Sequence, residues 1–386
     1  MIYLDNAATT KVKPEVVSTM LPYFETLFFN PSSPYADAHI IQNSIQSCRK
    51  AILNYLNADN GNVYFTSGGS ESNSWAIQGF CKAHGSAVVV TSKIEHKSIS
   101  ETAAQHGFSF RVDVDKYGRI NPRDLDRTLE CARHFGNDIF VSIQFANNEI
   151  GTIQNIKEVS RLTHKYGGIL HTDATQAFGK TVIDVCDMDI DLLTASGHKI
   201  GTPKGIGFLY VKEGVRIAPI IYGSQNNGMR GGTENVPYIM GLKRAVELLS
   251  DKKELSFINL YRKRNCLISD LITLGCRVNG ILRCDIENKE SLPLIFSLPN
   301  IVSVTLPTFI LGESVVHLLS SKGIYVSTGS ACDSLSKLPS QTLSAIGLSQ
   351  NEIRQTIRIS FDDNTTSEEL KMFVEELKYA IERLKI

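Results

Sequence analysis

GILHTDATQ (168–176) and DLLTASGHKIGTPKGIGFLYV (191–211) decide the fold. Each contains a short run of aliphatic and β-branched residues that ends on polar ones, the pattern of a strand buried in a sheet. Outward from these, NVYFTS (62–67), AVVVTS (87–92) and DIFVSIQ (138–144) have the same form. Segments between them, such as 71–83 and 156–166, carry apolar residues at helical spacing. Strands separated by helices predict an α/β chain with a mainly parallel sheet covered on both faces. Beyond Pro237 the pattern changes. A charged helical stretch runs over roughly 238–274, followed by strands IVSVTL (301–306) and IRISF (357–361) and an amphipathic helix over 366–385. This predicts a smaller α+β domain, connected through the charged stretch. Residues 283–293 read as a polar loop.

The chain has 386 residues, enough for a large core and two domains. Lys+Arg and Asp+Glu are each 40, so the formal net charge is zero. That balance excludes the basic excess expected of a general nucleic-acid or membrane-surface binder. No apolar run approaches the ~20 residues that span a bilayer. The start, MIYLDNAATT, lacks the pattern of a signal peptide, and a cytoplasmic protein is expected. None of the eight cysteines forms a C-x-x-C pair, so neither a zinc site nor any other metal site is expected. Most of them should be small buried hydrophobes. Cys332 differs, because it lies among small polar residues in STGSACDS (327–334) with no apolar periodicity.

In parallel sheets, ligands bind beyond the carboxyl ends of the strands. After NVYFTS comes Gly68-Gly69-Ser70-Glu71, which opens a helix. Glycines admit close backbone approach, and the first helical N–H groups attract one phosphate. The spacing matches neither a dinucleotide nor a nucleoside-triphosphate loop. Alone, such a run is more often just a tight turn with an N-cap. The other strands end on Lys93-Ile94-Glu95-His96, on Asn147-Asn148-Glu149, on Asp173 with Gln176, and on Ser196, His198 and Lys199. Singly, each is an ordinary cap. Together they offer a phosphate cradle, an imidazole, an acid, an amide and a lysine. Pyridoxal phosphate needs such a set: a lysine for its Schiff base and an acid to keep its ring nitrogen protonated. A partly buried lysine loses its proton readily.

The motifs resemble those of the cysteine desulfurases, in the class-V aminotransferase group of fold-type I pyridoxal-phosphate enzymes. They run nearly end to end: YLDNAATT (3–10), NPSS (30–33), FTSGGSES (65–72), EHKS (95–98), NNEIG (147–151), HTDATQAFGK (171–180), SGHKIGTPKGIG (196–207), MRGGTEN (229–235), STGSACDS (327–334) and TIRIS (356–360). The resemblance implies a fold-type I transferase with a large cofactor-binding domain over 15–255. A small domain of 1–14 and 256–386 would carry the cysteine loop. It implies Lys199 as the Schiff-base lysine, Asp173 on the pyridine nitrogen and Gln176 on the ring oxygen. His96 would stack on the ring and assist proton transfer. Gly69, Ser70, Ser196 and His198 would hold the phosphate, joined by Thr233 of a neighbouring subunit, which implies a homodimer. Asn148 and Arg358 would bind the substrate L-cysteine, and Cys332 would accept its sulfur as a persulfide for a protein acceptor. That acceptor would serve iron–sulfur assembly, tRNA thiolation or DNA phosphorothioation.

Three departures stand out. Asp333 follows Cys332 where a small residue is usual, and its charge would disfavour a thiolate. Asp362 and Asp363 replace Gly and Arg and would compete for Arg358. Residues 223–227, GSQNN, replace a stretch that commonly holds a Glu–Arg pair. Rival expectations are a related lyase or aminotransferase, such as a selenocysteine lyase, and a cofactor-bearing sulfur-carrier scaffold.

Overall fold

The computed structural model describes residues 1–384 except 86, 252–253, 283–295, 308 and 330–338. The predicted loop 283–293, Cys332 and Asp333 therefore lie outside the described residues. In chain order the strands are β1 (Ile2–Tyr3), β2 (Asn62–Thr66), β3 (Val88–Ser92), β4 (Phe108–Val112), β5 (Ile139–Ser142), β6 (Ile169–Asp173), β7 (Leu192–Ser196) and β8 (Gly207–Val211), then β9 (Arg277–Asn279), β10 (Ile301–Thr305), β11 (Ile324–Tyr325), β12 (Ser327–Thr328) and β13 (Thr356–Ser360).

Seven strands form one sheet in the order β2-β8-β7-β6-β5-β3-β4. All neighbours are parallel except β8, which runs antiparallel to both β7 and β2. The link from β7 to β8 is only residues 197–206, too short for the crossover that a parallel neighbour needs. Alternation buries both faces. Val88, Val90, Ile139, Val141, Leu193 and Phe208 enter one core, and Val89, Phe140, Leu192 and Leu209 enter the core on the opposite side. The six parallel strands thus end at one edge, and β8 begins there.

β4 was not anticipated: FSFRV (108–112) is largely exposed at the sheet edge and lacks an apolar run. The stretch 238–274 is two helices, Val236–Ser250 and Glu254–Thr273, and only the first packs on the large core. A second sheet, β12-β13-β10-β9, is antiparallel and has its own apolar core. In β13 the residues alternate. Ile357 and Ile359 enter that core, while Thr356, Arg358 and Ser360 face the other way and are also buried. Ile2 and Leu4 belong to the small core and Ala7 and Val16 to the large one, so the N-terminal segment spans both. Among the described cysteines, Cys48, Cys81 and Cys276 are buried as expected, but Cys131, Cys186 and Cys266 are exposed. Among the described residues no helix is long and apolar enough to cross a membrane.

The start of β8 lies tight against the Gly68 turn. A Cβ at Gly207 would come within 2.7 Å of both the Ala195 carbonyl oxygen and Gly68 Cα. Gly207→Ala is expected to cost about 1–3 kcal/mol, as overpacking does. Gly107→Ala, where a Cβ meets nothing within 4 Å, should be near neutral. Urea unfolding of the two variants checks this, and equal midpoints would contradict it.

Candidate active site

β6 ends on Asp173, which is buried. Its Oδ1 accepts the Thr175 backbone N–H at 2.9 Å, and its Oδ2 accepts Asn73 Nδ2 at 2.8 Å. Asn73 also donates to Ser98 Oγ at 3.0 Å. Ser98 Oγ lies 2.7 Å from His96 Nδ1, which also accepts the Ser98 N–H and so caps the helix Lys97–Ala104. Because Nδ1 accepts, the proton of neutral His96 sits on Nε2. Asp173 and His96, far apart in sequence, are thus held in one chain of hydrogen bonds.

Behind His96, buried Glu95 accepts from Ser92 Oγ and from the Gln144 N–H at 2.9 Å. Burial nevertheless pushes its carboxyl up to about 8. Buried His171, between Ser142 Oγ at 2.8 Å and Thr194 Oγ1 at 2.9 Å, is pushed down to about 4 by burial.

Lys199 follows β7 in a single 3-10 turn. Its Nζ donates to the Ala7 carbonyl at 2.5 Å and the Ala8 carbonyl at 2.8 Å. Gln176 Nε2 donates to the same Ala7 oxygen at 2.9 Å. His198 Nδ1 is 3.1 Å from Thr9 Oγ1, and Thr10 Oγ1 donates to the His198 carbonyl at 2.8 Å. Burial, with the cations Lys199, Lys204 and Lys180, pushes His198 down to about 4.

The helix Gly69–His84 begins beside Ser196 and Thr175. A Cβ at Gly69 would lie 2.8 Å from Thr175 Oγ1, a buried hydroxyl without a partner. A side-chain-free helix start, an unsatisfied hydroxyl and Ser196 make a cradle that suits a phosphate. With the lysine and the acid, these residues fit pyridoxal phosphate.

Arg358 is 1% exposed. Its Nη1 donates to the Asn148 carbonyl at 3.0 Å and its Nη2 to Asp5 Oδ1 at 2.7 Å, while its Nε is buried without a partner. The expected competition from Asp362 and Asp363 is corrected: the counter-ion is Asp5. The Asp362 carboxylate instead accepts the Asn364 and Thr365 N–H groups, closing its own turn. Glu71 and Arg230 form an ion pair at 3.0 Å within this chain. In the 223–227 stretch, Asn226 Oδ1 accepts Arg49 Nη2 at 2.6 Å and Gln225 Oε1 accepts the Gly232 N–H. Ser70 and Thr233 are exposed, and no hydrogen bond joins Thr233 to the residues above. Asp5, Ala7, Asn73, Ser98 and Thr175 carry no site role legible from the sequence alone. YLDNAATT was visible as a motif, but backbone acceptors such as Ala7 carry no side-chain signal.

A parallel sheet whose carboxyl edge gathers a lysine, a buried acid and a phosphate cradle defines a pyridoxal-phosphate enzyme of fold type I. Residues 2–373 match the family described as aminotransferase class-V. The chain is 40% identical to the cysteine desulfurase IscS of Methanosarcina thermophila, an alignment covering 100% of this chain and 93% of that one. Among solved structures, a NifS-like protein superposes with a TM-score of 0.88 at 30% identity, covering 99% of each chain. SspA in complex with cysteine superposes at 0.78 and 32% identity, over 95% of this chain and 100% of that one. The chain belongs to the class-V aminotransferase family, on its cysteine desulfurase branch.

The depressed His198 gives a signed pH effect. Between its native value of about 4 and the ordinary imidazole value of 6.5, the unfolded chain binds more protons than the native one. Stability that is full above pH 6.5 is therefore lost as pH falls toward 4. In His198→Gln the loss of urea midpoint between pH 7 and pH 4.5 should be smaller than in the parent. An unchanged pH slope would show that His198 is already charged in the native protein.

Proposed function

We propose that the protein is a cysteine desulfurase that takes sulfur from L-cysteine onto Cys332 and releases L-alanine. One observation carries the reading: the lysine and the buried guanidinium are both tied to residues 5–8, Lys199 through Ala7 and Ala8 and Arg358 through Asp5. An amino acid whose carboxylate is held by Arg358 would have its amino group directed toward Lys199. Full-length likeness to IscS and the cysteine-bound SspA support this substrate.

Pyridoxal phosphate, when bound, supplies the electron sink that loosens bonds around the α-carbon. Lys199 would bond the cofactor and then carry protons, Asp173 would hold the ring-nitrogen proton, and Gln176 would face the ring oxygen. Gly69, Ser70, Ser196 and His198 would hold the phosphate. His96, oriented through Ser98, presents Nε2–H to the site. Arg358, with Asn148, grips the substrate carboxylate, where a fixed fork suits two oxygens. The Cys332 thiolate attacks the substrate sulfur. A sulfur–sulfur bond forms and the substrate's Cβ–S bond breaks. The electron pair remains with the carbon fragment, which takes up a proton and leaves as alanine. The persulfide passes to a protein acceptor.

The small sheet's own apolar core, distinct from those on the two faces of the large sheet, supports a large domain of 15–255 and a small one of 1–14 with 256–386. A homodimer is supported by exposed Leu21, Phe24, Phe28, Tyr35 and Ile40 near the N-terminus, apolar surface that a second copy would cover. Thr233, also exposed, would reach the partner's phosphate. The IscS relatives support a cytoplasmic enzyme.

Incubation with L-cysteine and a reducing thiol should yield alanine and sulfide in equal amounts. Cys332→Ala should lower alanine release by about a hundredfold or more, because free thiols lack the positioned nucleophile. Wild-type alanine release by Cys332→Ala would remove Cys332 from the reaction, and no alanine from the parent would remove the desulfurase reading.

A further inference from the structure

Lys180 lies on the wall of a cavity of about 330 Å³ that also includes Lys199. Its Nζ donates to Gln176 Oε1 at 3.3 Å. That bond and the Ala7 carbonyl, which accepts Gln176 Nε2, together set which way the Gln176 amide points. With Oε1 occupied by a donor, Nε2 must carry the outward hydrogens, and one of them goes to the Ala7 carbonyl at 2.9 Å. The same oxygen takes Lys199 Nζ at 2.5 Å. Lys180, Gln176, Ala7 and Lys199 thus form a continuous polar chain. At one end is a second amine that the proposed reaction does not use.

We infer that Lys180 is a positioning residue for the cofactor site: it holds the Gln176 amide so that Nε2 can face the cofactor's ring oxygen. The inference rests on the cofactor reading given under Proposed function. The charged groups facing Lys180 are Lys199, Arg358 from β13 and Asp362 just beyond it. Lys11, Lys13 and Asp363 lie on the same cavity wall. Lys157, on the neighbouring cavity, is paired with Asp187 at 2.6 Å and adds little net charge. Burial, together with Lys199 and Arg358, brings Lys180 down to about 7 against the opposing pull of Asp362. A Gln176 Nε2–H aimed at the ring oxygen stabilises that oxygen's anionic form, which eases proton loss from the nitrogen joined to Lys199.

The test uses the holoenzyme and two variants. Lys180→Met removes the donor to Gln176 at similar length, and Lys180→Arg keeps a donor there. Bound cofactor after gel filtration is measured first, and then the pH midpoint of its visible absorbance. Lys180→Met is expected to retain cofactor and titrate about one unit above the parent. Lys180→Arg is expected to titrate at or below the parent. A midpoint unchanged in Lys180→Met, with cofactor bound, overturns the inference and leaves Lys180 a packing residue. Should Lys180→Met not fold, the Arg variant carries the test: a midpoint above the parent's overturns it. Failure of the underlying cofactor reading is separately visible, because the parent itself would then show no bound chromophore.

Discussion

The Ala7 carbonyl oxygen receives both Lys199 Nζ and Gln176 Nε2, and the arrangement of the site depends on that acceptor staying in place. Backbone oxygens hold position only as well as their segment does. Here the segment is anchored from both sides. Asn6 and Ala7 are hydrogen-bonded to Ser360 of β13, at 3.1 Å through the Asn6 N–H and 2.8 Å through the Ala7 N–H. Tyr3 donates its hydroxyl to the carbonyls of Asp5 and Thr9, which stiffens the bend. Asp5 meets Arg358 and Thr9 meets His198. A strap of seven residues, 4–10, therefore connects the small sheet to the carboxyl edge of the large one.

The large sheet supplies the other constraint. Its parallel strands bring Asp173, Ser196 and the loops carrying His96 and Asn148 to one edge, because every crossover returns the chain to the opposite side. The antiparallel β8 closes this edge rather than extending it, and its first residue packs against the phosphate-cradle turn. Buried charge and polarity are concentrated where the two systems meet. Arg358 would be costly to bury alone, and Asp5 offsets that cost with a charge drawn from the strap. Burial there, with Lys199, Lys204 and Lys180 close by, holds the His198 imidazole neutral.

Much of this was legible in the sequence. Runs such as AVVVTS and DLLTAS, buried on both faces, announce parallel strands by composition alone, and their polar terminators mark the edge. The helix opened by Gly69, and the placing of Asp173, Gln176 and Lys199 at strand ends, follow from the same reading. What was not legible rests on tertiary contacts. β4 is exposed and β9 is three residues long, so neither shows an apolar period. The break near residue 251 within the charged stretch gives no Gly or Pro signal. Asp5 reads as one acid in an N-terminal motif, and only folding shows that it, not Asp362, neutralises Arg358. Asn73 and Ser98 look like ordinary helix residues, yet they connect Asp173 to His96.

Lys180 and Lys199 share one cavity, so the strap decides which amine meets the cofactor. Borohydride reduction of the protein as isolated, followed by peptide mapping in the mass spectrometer, reads this directly. A reduced pyridoxyl-phosphate adduct is expected on the peptide containing Lys199 and none on Lys180. An adduct on Lys180, or none on either lysine in protein that retains bound cofactor, would contradict it.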